Sequence, residues 1–178
     1  MSQVLALLGF IVLLDGLRVR ALTAAVAERR VVLLGIGAAA SISALLIPMS
    51  RPLIDYLSVS APTFWVAAGI VMTAAGVVGV VRIPSRPWAL DASIRAAMVP
   101  LVFPILLTPA LVAHSLASGL EYRLGSVIAI LFAAGLAVVT SATSFPPEKL
   151  APVLRMQGAF TTLLGVVWLV EGTRGLLL

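Results

Sequence analysis

An acid and two bases stand within six residues of one another in a stretch otherwise free of charge: Asp15-Gly16-Leu17-Arg18-Val19-Arg20. If this stretch lies in a bilayer, a charge at its centre costs roughly 2.5–3.5 kcal/mol on insertion scales, so these groups must face protein or water. Two readings stand side by side. Asp15 and Arg18, spaced i and i+3, can neutralise each other while Arg20 snorkels to the interface. Alternatively, the two guanidinium groups attract an anion through their forks of donors, and Asp15 holds them in place or exchanges a proton.

A second candidate segment is PLVFPILLTPALVAHS, with Pro100, Pro104 and Pro109. Each proline lacks an amide hydrogen and frees a carbonyl one turn earlier, so a helix here is kinked or broken. Broken backbone at membrane depth is tolerated where protein buries it or where it lines a wet cavity, and transporter sites are often built this way. Thr108 sits between the prolines. His114, the sole histidine, follows as either a carbonyl-bonded helix residue or a proton relay. The candidate substrate or ion pathway is therefore Asp15, Arg18, Arg20, Pro104, Thr108, Pro109 and His114.

No carboxylate pair, metal-ligand spacing, nucleophile elbow or phosphate-binding glycine loop is present, so the reading is neither an enzyme nor a metal or cofactor protein. Gly35 and Gly37 of GIGAAAS lack the preceding strand and turn of a dinucleotide fingerprint and read as packing residues. Cysteine is absent, which excludes disulfides and thiol chemistry. The net charge of +5 comes from scattered basic residues, not from a basic, aromatic-laced surface, which argues against nucleic acid.

The elements that carry these residues follow from hydropathy. With 178 residues, 61% hydrophobic and 11% charged, the chain needs a bilayer as its solvent. About 20 apolar residues cross the hydrocarbon, so this length accommodates about six helices and no sizeable soluble domain. Charge-free runs over Val31–Ser50, Tyr56–Val81, Ala96–Leu120 and Leu124–Pro147 mark four spans. The stretches Ser2–Ala27 and Met156 to the terminus supply two more if their charges are tolerated. Ala25-Val26-Ala27 has the look of a signal-peptidase site. No Lys or Arg precedes the first apolar run, however, and Asp15 interrupts it, so a span is expected.

Nine of the twelve basic residues lie at the first, third and fifth connections: Arg18, Arg20, Arg29, Arg30, Arg82, Arg86, Arg95, Lys149 and Arg155. By the positive-inside rule these connections face the cytoplasm and both termini face outward. Arg51, Arg123 and Arg174 fall on the other side. Glu171 and Arg174 read as an interfacial pair at i and i+3. Arg82–Arg95, rich in proline and carrying Trp88, reads as a linker.

A shift of 89 residues lays Gly69, Thr73, Gly76, Val77, Val78 and Val81 onto Gly158, Thr162, Gly165, Val166, Val167 and Val170. The same shift lays Leu17, Ala21, Leu22 and Ala24 onto Leu106, Ala110, Leu111 and Ala113. One offset serving two helix pairs argues for duplication into repeats 1–89 and 90–178 within one membrane domain. An odd number of crossings per half inverts the second half. The expected fold is all-α integral membrane, with six transmembrane helices as two inverted three-helix repeats. Pro104 then lies opposite Asp15, and Pro109 opposite Arg20.

LSVSAPTFWVAAGIV (Leu57 to Val71) resembles the Leu-Gly-Ile-Ser-x-Pro-x-Phe-x-Ile-Ala-Gly-Gly-Ile stretch of the MarC family of bacterial inner-membrane proteins, grouped with the LysE-type exporters. It matches at Leu57, Ser60, Pro62, Phe64, Ala67, Gly69 and Ile70. RMQGAF is similar to that family's Arg-Ile-Met-Gly. Pro100, Leu101, Pro104 and Pro109 fit its Pro-Leu-x-x-Pro-Leu-x-x-Gly-Pro-Gly, with Thr108 and Ala110 in place of both glycines. Of its Asp-Pro-Leu-Gly-Asn-x-Pro only Asp15 and Leu17 remain. The resemblance spans nearly the whole chain and implies a multi-pass protein of the bacterial inner membrane with a duplicated three-helix design.

The functional expectation is a secondary transporter or translocase of an anionic solute or lipid head group. Its rival is a non-transporting accessory subunit of a larger membrane complex. Membrane lipids are the expected surroundings, and assembly with copies of itself or with a larger complex fits either reading.

Overall fold

The computed structural model describes residues 3–14, 16, 19, 29–81, 102, 105–142 and 147–178. Asp15, Arg18, Arg20, Pro104 and the linker Arg82–Arg95 lie outside the described residues. Among those described, six helices follow one another: α1 (Gln3–Leu13), α2 (Arg29–Leu57), α3 (Ala61–Val81), α4 (Pro109–Glu121), α5 (Arg123–Ala142) and α6 (Pro147–Leu177). Four helical stretches are long and apolar enough to cross a membrane: Arg29–Leu57, Ala61–Val81, Arg123–Ala142 and Leu150–Leu177. With 11 and 13 residues, α1 and α4 fall short of that length. At 1.5 Å per residue they reach about 17 and 20 Å, against a hydrocarbon thickness of about 30 Å.

Local chemistry explains most of the boundaries. Ser60 caps α3: its hydroxyl accepts from Thr63 N at 3.3 Å and its carbonyl from Phe64 N at 3.0 Å. The chain enters this cap through Ser58, whose φ of 52° makes the turn out of α2. Between α4 and α5 only Tyr122 is non-helical. Its N–H bonds back to Ser118 O, and its carbonyl accepts from Ser126 N.

One boundary and one packing residue differ from the sequence expectation. The second span does not stop at Ser50. α2 runs through Pro48, Arg51 and Pro52 to Leu57, because Arg51, Asp55 and Tyr56 are exposed at its end and so do not interrupt the buried helix. Within this stretch the buried Ser50 hydroxyl donates to Ile47 O at 2.7 Å. Gly35 is buried, but Gly37 is exposed with no atom within 4 Å of a Cβ placed there, so it is not a packing residue.

Close approaches fix the relative directions of the helices. Gln3 lies beside Gly125, while Gly16 lies against Ala137 and Thr140, so α1 and α5 run parallel. α3 and α6 are antiparallel: Pro62 lies at Gly172 and Gly175, Gly69 at Gly165, and Gly76 at Gly158 and Thr162. A recess touched by Arg51, Glu121 and Arg123 joins the C-termini of α2 and α4 to the N-terminus of α5. Glu171 acts electrostatically on Tyr122, which brings the C-terminal part of α6 to the same end. Successive described helices therefore alternate in direction.

Packing is mostly between the first three helices and the last three. α3 lies along α6, α2 along α4 and α5, and α1 along α5, α4 and α6. The buried core centres on Phe10, Ile47, Met72, Leu111, Ile130 and Trp168. Large apolar residues face outward instead, such as Leu124, Ile128, Leu131, Phe132 and Val139 along α5, which suits a lipid-facing surface.

Candidate functional site

α4 begins within the proline-rich segment that the sequence marks as a fourth span. Its N-cap is Thr108, extended at φ −71° and ψ 153°, and the Thr108 hydroxyl accepts from Leu111 N at 3.2 Å. Pro109 is the first helical residue, where its missing N–H removes no helical bond and its fixed φ suits the start. Immediately before it, Leu107 N bonds Val102 O at 2.7 Å, a wide i to i+5 turn, and Thr108 N bonds Leu106 O at 2.9 Å. Thr108 is half-buried and Pro109 exposed, whereas Ile105, Leu106 and Leu107 are buried. Pro109 thus opens a helix beside buried apolar residues, with the amide-rich, positive end of its dipole there. α1 ends at Leu13, and Leu14 N still bonds Phe10 O at 2.9 Å.

His114 lies about one and a half turns further along α4 and is fully buried. The Trp168 indole N–H of α6 donates to its Nδ1 at 3.2 Å, and its Nε2 is 3.0 Å from Ala6 O of α1. Indole nitrogen can only donate, so Nδ1 is the acceptor and Nε2 carries the proton to Ala6 O. The imidazole is thereby held as one neutral tautomer. Phe10 and Trp168 meet its ring edge-on, with centroids 4.7 and 5.9 Å away. Gly9 makes room for it, since a Cβ at that position would overlap the imidazole. His114 joins three helices, and a second proton on its ring would have to displace the Trp168 bond.

No family model, curated protein or solved structure matches this chain.

Serine hydroxyls around His114 turn back onto the backbone. Ser115 donates to Leu111 O at 2.8 Å, Ser118 to Ser115 O at 3.3 Å and Ser126 to Ser118 O at 3.2 Å. Such bonds satisfy hydroxyls inside apolar helix contacts without a ligand.

A feature absent from the sequence reading lies at the shared helix end. Arg51 and Glu121 belong to both of two adjoining recesses. One, of about 590 Å³, is also lined by Asp55, Ser60 and Trp65, and the other, of about 260 Å³, by Gly119 and Arg123. Glu121 hydrogen-bonds Tyr122, and this raises the phenol above its ordinary pKa of 10.0. The residues come from points up to 72 positions apart in the chain, so no local motif announces them.

Proposed function

We propose that the chain is a small secondary transporter or translocase that moves an anionic solute or lipid head group by alternating access. On this reading it is a divergent MarC-like protein with six crossings in two inverted repeats, 1–89 and 90–178. The basic connections face the bacterial cytoplasm and both termini face outward.

The observation that carries the reading is the start of α4 at the half-buried Thr108 and at Pro109, directly after the buried Ile105, Leu106 and Leu107. A helix N-terminus there favours negative charge, and interrupted helices that present such ends to a substrate are how many transporters bind anions at membrane depth. Arg18 and Arg20 would add guanidinium forks, with Asp15 orienting them. Support for inversion comes from the helix contacts. Under the 89-residue shift, the pair Gly69 with Gly165 becomes Gly158 with Gly76, and Gly76 with Thr162 becomes Gly165 with Thr73. All these contacts are made along the antiparallel seam of α3 and α6.

The test is flux of labelled inorganic phosphate and of a fluorescent anionic phospholipid in proteoliposomes, comparing the wild-type chain with Arg20→Ala. Flux of either probe that falls severalfold in the variant supports the proposal, and equal flux in both removes arginine from the mechanism. The closed packing around His114 favours the second reading, an accessory subunit. Folded wild-type protein with no flux of either probe would select it.

A further inference from the structure

We propose that the charged recess between the ends of α2 and α4 is a binding site for the phosphoethanolamine head group of a membrane lipid. This inference rests on the membrane-embedded reading but not on transport.

Taken together, the two adjoining recesses, which share Arg51 and Glu121, carry both signs of charge: Arg123 belongs to the smaller and Asp55 to the larger. Arg51 and Arg123 offer two guanidinium forks, whose geometry matches phosphate oxygens, and Asp55 and Glu121 offer carboxylates. A single anion would leave the acids facing it, and a simple cation would leave the arginines. A zwitterion with phosphate and ammonium a few bonds apart satisfies both. A primary ammonium has three N–H donors for carboxylate oxygens, whereas a quaternary choline has none. Glu121 also accepts from Tyr122, and a carboxylate has lone pairs enough for both partners.

The surroundings point to a lipid as the source. The recess is formed at helix ends, the level of head groups, and its neighbours Tyr56, Leu57 and Leu124 are 85%, 51% and 74% exposed. Apolar and aromatic side chains that border a charged recess provide a surface for acyl chains and interfacial ester groups. Trp65, which lines the larger recess, has an indole nitrogen with no hydrogen-bond partner in the protein. That nitrogen is buried, and the rest of the indole gives the recess an amphipathic wall of the kind that favours the membrane interface.

The experiment is native mass spectrometry of the purified full-length chain in detergent with dioleoyl lipids that differ only in head group: phosphoethanolamine, phosphocholine and phosphoglycerol. Phosphoethanolamine lipid should be retained about fivefold better than either, the scale set by a few partly exposed ion pairs. Arg51→Gln and Asp55→Asn should each abolish the preference. Arg174→Gln, nearby on α6 but outside the recess, should keep it. Equal retention of all three lipids, or a preference for phosphoglycerol, overturns the proposal. Competition by free glycerophosphoethanolamine as strong as that of the intact lipid also overturns it, since the occupant would then be a soluble zwitterion. Binding needs no gradient, so failure of transport and failure of this site are separately visible.

Discussion

Gly158→Ala tests the seam between α3 and α6 most directly. The added methyl would sit 2.7 Å from Val80 N, 2.8 Å from Gly79 C and 2.9 Å from Gly76 O. All three are backbone atoms, so no side chain can turn aside. Ordinary contact begins at 3.4 Å, so the helices must part by about 0.7 Å at this point. A gap of about 0.5–1 Å forfeits a quarter to a half of each dispersion well along the contact, and overpacking typically costs about 1–3 kcal/mol. Alanine's better helix propensity returns about 1 kcal/mol at most. The net expectation is a loss of about 1–2 kcal/mol in equilibrium unfolding in mixed micelles. Gly37→Ala, with open space around it, is the control and should be neutral or slightly stabilising. Gly69→Ala, which meets Gly165 O and Leu169 N at 2.7 Å, should cost the same as Gly158→Ala. The double variant Gly76→Ala/Gly158→Ala should fall short of additivity, because one separation serves both methyls. If Gly158→Ala is as stable as Gly37→Ala, close backbone approach is not what holds this seam.

Thr108→Ala should destabilise the chain by about 1 kcal/mol through loss of the α4 cap, and Thr108→Ser should restore it, both read in the same unfolding assay. Trp168→Phe keeps an aromatic ring but shrinks a fully buried side chain and leaves His114 Nδ1 without its donor, and the lost bond alone should cost about 1–3 kcal/mol by thermal or denaturant unfolding. For the phenol at the α4–α5 junction, Glu121→Gln removes a charged acceptor that holds the proton on Tyr122. Ultraviolet titration should therefore show this tyrosine ionising at lower pH than in the wild type. The chain has only two tyrosines, so a Tyr56→Phe background isolates the signal.

Membrane embedding and the glycine faces were legible in the sequence because both rest on periodic, local signals. Gly69 and Gly76, seven residues apart, share a helix face whatever lies opposite. What lies opposite was not legible, since the antiparallel pairing sets Gly69 against Gly165, not against Gly158, its match under the 89-residue shift. The end of α2 was misplaced for a related reason: a charge marks a boundary only if its side chain is buried, and Arg51 is exposed. His114 gave no signal of its partners, because Ala6 and Trp168 are 108 and 54 residues away. The recess at Arg51 and Glu121 was hidden likewise, its arginines, Arg51 and Arg123, having read as topology markers. Of the expected pathway, Thr108, Pro109 and His114 fall on α4, while Asp15, Arg18, Arg20 and Pro104 lie outside the described residues.

The seam and the His114 contact differ in a way that bears on how such a protein would move. The seam maps onto itself under the 89-residue shift. The His114 contact does not: the positions matching Ala6, Phe10, His114 and Trp168 are Arg95, Val99, Ala25 and Gly79, with no imidazole and no indole among them. On the proposed inverted-repeat reading, the aromatic staple at His114 has no counterpart among the matching residues of the sequence, which would make two otherwise equivalent closures unequal in energy. Removing the staple should shift the population toward opening at the Arg51 end by an amount set by the lost contacts. The cysteine-free chain makes this measurable with Thr108→Cys, which keeps a short polar side chain at the α4 start. In proteoliposomes, a membrane-impermeant maleimide added from the Arg51 end should label this cysteine slowly when His114 is present and severalfold faster in the His114→Ala background. An unchanged labelling rate, in variants that remain folded by circular dichroism, would mean that the staple only stabilises the fold and gates nothing.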